Sequence, residues 1–174
     1  YLGKPCDERY GGILTDEEIA SVTEISVGNK NIVSMKGIEF FTALTSLFCG
    51  NNQLTALDVS KNTALETLNC EYNQLTALDV SNNTAMKSLQ CNNNQLTTLD
   101  VSNNAAMTYL HCAINKLTTL TVSMNTPLKT LYCYGNSIRG EAMQTLVNGL
   151  FDRSQTSTGT LRVYNNYETV EGNE

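Results

Sequence analysis

Five cysteines, Cys49, Cys70, Cys91, Cys112 and Cys133, stand 21 residues apart without a slip. Each lies in one phrase, Leu-x-x-Leu-x-Cys-x-x-Asn, with Met86 and Met107 taking the first Leu in two copies. A period of this length is too short for a domain and too regular for a loop. It is the mark of a chain wound so that every period makes one turn, stacked on the turn before it. An isolated turn cannot bury enough apolar surface to offset the entropy of ordering its residues, so the array folds as a unit or not at all.

The second copy, residues 63–83, shows how a turn is built. Leu65, Leu68, Cys70, Leu75, Leu78 and Val80 are its apolar set, matched one turn earlier by Leu44, Leu47, Cys49, Leu54, Leu57 and Val59. This spacing fits neither a 3.6-residue helix nor one long alternating strand. It predicts a short strand, a turn, a short extended segment and a second turn. In the strand Leu68-Asn69-Cys70, Leu and Cys face inward and Asn69 faces out, and successive strands stack in parallel. Asn52, Asn73, Asn94, Asn115 and Asn136 recur where the chain leaves each strand. There an amide side chain supplies the donor and acceptor that a buried turn lacks. Asp58, Asp79 and Asp100 form a second column, with Thr121 in the fourth copy. Stacked carboxylates are candidate Ca²⁺ ligands, but the glycine-rich nonapeptide of calcium-binding rolls is absent, and the favoured role is accepting from turn amides in Ser-x-Asn.

The repeat breaks at both ends. Thr15 followed by Glu18 is a capping box that opens a short helix. The next turn is one residue longer than the rest, with Val27 in the cysteine row and Lys30 in the Asn column. Beyond Cys133, Ala142, Met143, Leu146, Val147, Leu150 and Phe151 recur at helical spacing. Residues 160–166 then form a last strand, with Leu161 and Val163 inward. The expected organisation is an N-terminal segment and cap over residues 1–20, a repeat domain over 21–166 and an acidic tail over 167–174.

The formal charge of −6 and a pI near 4.8 argue against nucleic acid as a partner, since it selects for clustered Lys and Arg. No apolar run approaches the ~18 to 20 residues of a membrane span. Beginning at Tyr1 with neither an initiator Met nor a charged-then-apolar leader, the chain is expected to be a processed or trimmed product. The cysteine column offers little chemistry. A straight column cannot wrap a zinc ion tetrahedrally, neighbouring thiols directed alongside one another make a strained disulfide, and the expected state is a stack of reduced, buried thiols filling space. Cys6 has no place in this scheme. His111 is the available general base, but it points out of the sheet while Cys112 points in, so no nucleophile pair forms. The chain is expected to be non-enzymatic, with no cofactor and no metal.

The phrase Leu-Thr-Ala-Leu-Asp-Val-Ser-x-Asn-Thr-Ala-Leu-x-x-Leu-x-Cys-x-x-Asn-Gln, carried across residues 42–138, resembles the cysteine-bearing 21-residue leucine-rich repeats of the internalins and of exported Bacteroidetes proteins. Residues 21–44 resemble the 22-residue internalin turn. The resemblance implies an α/β solenoid, a right-handed superhelix with a concave parallel sheet of about seven strands, a short N-terminal cap helix and one helix near the C-terminus. It also implies binding rather than catalysis, at an extracellular or bacterial cell-surface location.

What varies between copies lies on the outward strand positions and just after them. Before each cysteine come Phe48, Asn69, Gln90, His111 and Tyr132, joined on the last strand by Arg162; nearby on the same face are Tyr72, Tyr109, Ile114, Tyr134 and Tyr164. Tyr and Arg are enriched where interfaces gain most of their energy, although Tyr is also favoured on strands. The candidate binding residues are therefore Phe48, Tyr72, Tyr109, His111, Tyr132, Tyr134, Arg162 and Tyr164. The expected ligand is a protein. Glycan binding and a purely structural spacer role are the alternatives, the glycan reading weakened by the absence of Trp.

Overall fold

The computed structural model describes residues 14–123, 127–151 and 162–164. The chain enters through helix α1 (Asp16–Ser21). Its capping box forms in full: Thr15 Oγ1 accepts from the Glu18 amide at 3.2 Å, and the Thr15 amide donates to Glu18 Oε2 at 2.8 Å. Strands β1 (Glu24–Ser26), β2 (Ser46–Phe48), β3 (Thr67–Asn69) and β4 (Ser88–Gln90) follow, then β5 (Thr98–Val101), β6 (Tyr109–His111), β7 (Thr119–Val122) and β8 (Thr130–Tyr132). Helix α2 (Glu141–Phe151) and strand β9 (Arg162–Tyr164) complete the array.

Seven strands form one parallel sheet in the order β1-β2-β3-β4-β6-β8-β9. The first register, Glu24 opposite Ser46, carries the longer turn, and thereafter Leu47, Leu68, Leu89, Leu110 and Leu131 stand in line. The extended segments on the other side of each turn are regular enough in two copies to pair as a second sheet, β5 with β7. Strand boundaries fall one residue earlier than expected, at Thr67–Asn69 rather than Leu68–Cys70. The ladder nevertheless runs on, because the Cys70 amide donates to the Gln90 carbonyl at 2.9 Å.

The core is one continuous column. The aligned leucines are fully buried, and the five ladder cysteines are free thiols between 0% and 4% exposed. Asparagine closes the turn that follows each ladder cysteine. Asn73 Nδ2 donates to the carbonyls of Cys49 and Cys70, both at 3.1 Å, while its Oδ1 accepts from the Leu54 amide at 2.9 Å. Asn94, Asn115 and Asn136 repeat this arrangement. Asn52 does the same for the first turn, its Oδ1 accepting from the Ile32 amide and, where Lys30 stands in the asparagine column, from the Lys30 amide as well. The Asp column does turn work as well: Asp58, Asp79 and Asp100 each accept through Oδ1 from the amide two residues on, at 2.8–2.9 Å.

A second asparagine column, Asn62, Asn83 and Asn104, was not anticipated as a core element. All three are completely buried, and each Nδ2 donates to two carbonyls of the turn before. Near the C-terminus α2 packs on β7 in place of another extended segment, burying Leu146 and Leu150. Cys6, Leu161 and the expected acidic tail lie outside the described residues.

Candidate functional site

With the leucine and cysteine rows turned inward, three rows of residues line the open side of the main sheet, the third of them buried at Gly50, Asn92 and Ala113. The first runs Glu24, Ser46, Thr67, Ser88, Tyr109, Thr130 and the second Ser26, Phe48, Asn69, Gln90, His111, Tyr132. The third, just past the cysteines, is Gly28, Gly50, Glu71, Asn92, Ala113, Tyr134. The repeat is strict behind the sheet and free in front of it.

Four of the expected residues come together at one end. Tyr109 and Tyr132 have ring centroids 6.1 Å apart, His111 lies 4.9 Å from Tyr132 and 6.3 Å from Tyr134, and all three pairs are tilted. Such contacts keep large rings at fixed positions, which lowers the entropy lost when a ligand lands on them. Burial pushes the His111 imidazole below its ordinary pKa, with the Glu71 charge acting the other way, and its Nε2 is buried without a hydrogen-bond partner. Burial, followed by the neighbouring Tyr132, Glu71 and Tyr134, pushes the Tyr109 hydroxyl up.

The other expected residues are distributed differently. Phe48 is half-buried in the His111 row but three strands away, about 14 Å at ~4.8 Å per strand. Tyr72 is not on a strand at all: it occupies the left-handed position of the following turn, at φ 50°, as does Ile114 at φ 53°. The equivalent positions elsewhere are Asn29, Asn51, Asn93 and Gly135, residue types that tolerate this conformation. Both Tyr72 and Ile114 are exposed, at 51% and 46%, and so form a rim beside the face. The register also reorders the last strand. Tyr164 is the partner of Tyr132, whereas Arg162 pairs with Thr130 and belongs one row earlier than expected.

Sequence reasoning missed the polar half of this face. Glu71 Oε1 accepts from Asn69 Nδ2 at 3.2 Å and Oε2 from Asn92 Nδ2 at 3.1 Å, while the Glu71 amide donates to Asn69 Oδ1 at 3.2 Å. Gly50 makes room for the group, since a Cβ there would stand 2.7 Å from Asn69 Oδ1 and 3.1 Å from the Glu71 Cγ. The signal was present in the third row, where Gly, Glu, Asn, Ala and Tyr replace one another, but a search led by aromatic residues passes over it. The thiols behind the sheet are chemically quiet: burial pushes Cys49 up to about 12 and Cys133 up to about 11, and Cys70, Cys91 and Cys112 rise too.

Known proteins share this architecture. A 49-residue stretch is 46% identical to Internalin J of Listeria monocytogenes serotype 4b (strain F2365), covering 28% of this chain and 5% of that protein. The solved functional domain of InlJ from Listeria monocytogenes, which includes a cysteine ladder, matches with a TM-score of 0.67 and 38% identity over 76% of this chain and 34% of that one. The chain resembles internalin J. It spans about a third of the solved internalin J chain. The Listeria internalin inlF matches with TM-score 0.59 at 24% identity, over 78% of this chain and 42% of that one, and so shares the fold. So does the leucine-rich-repeat protein LIC12759 of Leptospira interrogans, with TM-score 0.55 at 17% identity over 85% of this chain and 44% of that one. The family described as LVIVD repeat matches residues 91–111, a single period from one ladder cysteine to the residue before the next.

Proposed function

We propose that this chain is a non-enzymatic binding module of an exported or cell-surface bacterial protein, and that it recognises a protein ligand on the open face of its main sheet. The observation that carries this reading is the clustering of Tyr109, His111, Tyr132 and Tyr134 in contact, on a face where large rings replace the small polar residues of the other copies. Surface rings already held by neighbours are what protein interfaces use as anchors. The likeness to internalin J supports both the binding role and the location outside the cell.

Replacing Tyr132 and Tyr134 together by Ala is expected to abolish capture of a ligand from host or neighbouring bacterial surface extracts, with the melting temperature nearly unchanged. Undiminished capture moves the site elsewhere. The amide and carboxylate groups of Asn69, Glu71 and Asn92 are also suited to sugar hydroxyls, so binding seen only on a glycan array would favour the glycan reading.

A further inference from the structure

We propose that Glu71 is the recognition centre of this face for a basic side chain, Lys or Arg, of the protein ligand, with the exposed Tyr72 next to it in the chain and the Tyr109 and His111 rings two strands away. This inference rests on the protein-binding reading above and names the chemistry of its partner.

The carboxylate is built in but not neutralised. Two amides, one from its own turn and one from the next, fix both oxygens and bring no positive charge. Among the described residues the ion pair present, Lys87 with Glu66 at 2.7 Å, lies outside the three outward rows. Within the described side chains of those rows the formal charges are Glu24 and Glu71, with no Lys or Arg. Each Glu71 oxygen uses one acceptor direction on an amide and keeps another available. Asn92 is 3% exposed, and its Oδ1 has no donor. That atom is sealed from solvent, as are the Oδ1 atoms of Asn62, Asn83 and Asn104, so the acceptor directions open to a guest are those left on the Glu71 carboxylate. An ammonium or guanidinium brings several donors at once, together with the charge.

The surroundings suit the same guest. Glu71 follows β3, two strands from the β6 that carries Tyr109 and His111, about 10 Å at ~4.8 Å per strand, and its charge acts on both. Tyr faces attract a cation and also pack against the aliphatic stem of Lys or Arg. Tyr72, the residue after Glu71, and Ile114 hold exposed positions in a backbone conformation that their neighbours assign to Asn or Gly. Exposed residues that resist their own backbone contribute little to folding, and strain of this kind collects at binding sites. The net charge of −6 draws a basic partner from a distance.

The test pans a displayed random peptide library against the full chain, then measures the enriched peptides on the wild type, on Glu71→Gln and on Y132A/Y134A. Gln keeps the length and an acceptor oxygen, and Gly50→Ala serves as a second variant that displaces Asn69 and Glu71 without altering their charge. Enriched peptides are expected to carry Lys or Arg. Their affinity should fall by at least about tenfold on Glu71→Gln, as loss of a charge-assisted bond implies, and likewise when the basic residue is changed to Met. Peptides without a basic residue, or affinities unmoved by Glu71→Gln, overturn the proposal. If those same peptides still lose binding on Y132A/Y134A, the protein-binding reading survives it, and if no peptide is enriched at all, both fail.

Discussion

At the scale of single residues, the position two after each cysteine separates stability from use. Four turns place Asn or Gly in the left-handed conformation there; two place Tyr72 and Ile114. A β-branched side chain pays about 1 to 2 kcal/mol for that backbone, and at 46% exposure Ile114 recovers little of it by burial. Ile114→Asn is therefore expected to raise the free energy of unfolding by about 1 kcal/mol in urea denaturation, and to weaken ligand capture. Unchanged or lower stability would show that Ile114 is not strained. Sequence alone showed the apolar substitution in an Asn column but not its conformation, because positive φ is a property of the finished turn. Glu71 was hidden for a related reason: its significance comes from Asn69, Asn92 and the missing Cβ of Gly50, three groups drawn from three turns.

At the scale of elements, nearly all of the inward architecture was legible. The capping box, the parallel leucine and cysteine rows, the longer first turn and the Asp turns form as the spacing requires. Asp58 and Asp79 are held below the usual carboxylate range by Ser60 and Ser81, the Ser60 amide leading in the first and the Ser81 hydroxyl in the second. The buried column Asn62, Asn83 and Asn104 was harder to see, since a polar residue in Ser-x-Asn resembles exposed turn chemistry until stacking seals it from water. The cysteine ladder has a pH signature. A thiol raised in the folded state keeps its proton while the unfolded chain loses its own, so stability is fully present below the unfolded value near 8.5 and declines as pH rises toward the folded values, about 11 for Cys133 and about 12 for Cys49. Denaturant midpoints should fall between pH 8.5 and 11, and the fall should shrink when Cys91, which is wholly buried, is replaced by Ala. A midpoint independent of pH across that window would mean that the thiols are not buried in reduced form.

At the scale of the whole molecule, the solenoid divides labour between its two sides. Strict repetition behind the sheet supplies the core and backbone satisfaction, and relaxed repetition in front leaves a surface on which chemistry can change without disturbing the stack. That division is the central claim, and mapping a bound ligand tests it most directly. In an NMR titration of the labelled chain with an enriched peptide, the largest shift changes are expected at Glu71, Tyr72, Asn92, Tyr109, His111, Ile114, Tyr132 and Tyr134, while the Asp58, Asp79 and Asp100 turns stay silent. Shift changes centred on those aspartate turns, with the open sheet face unmoved, would contradict it.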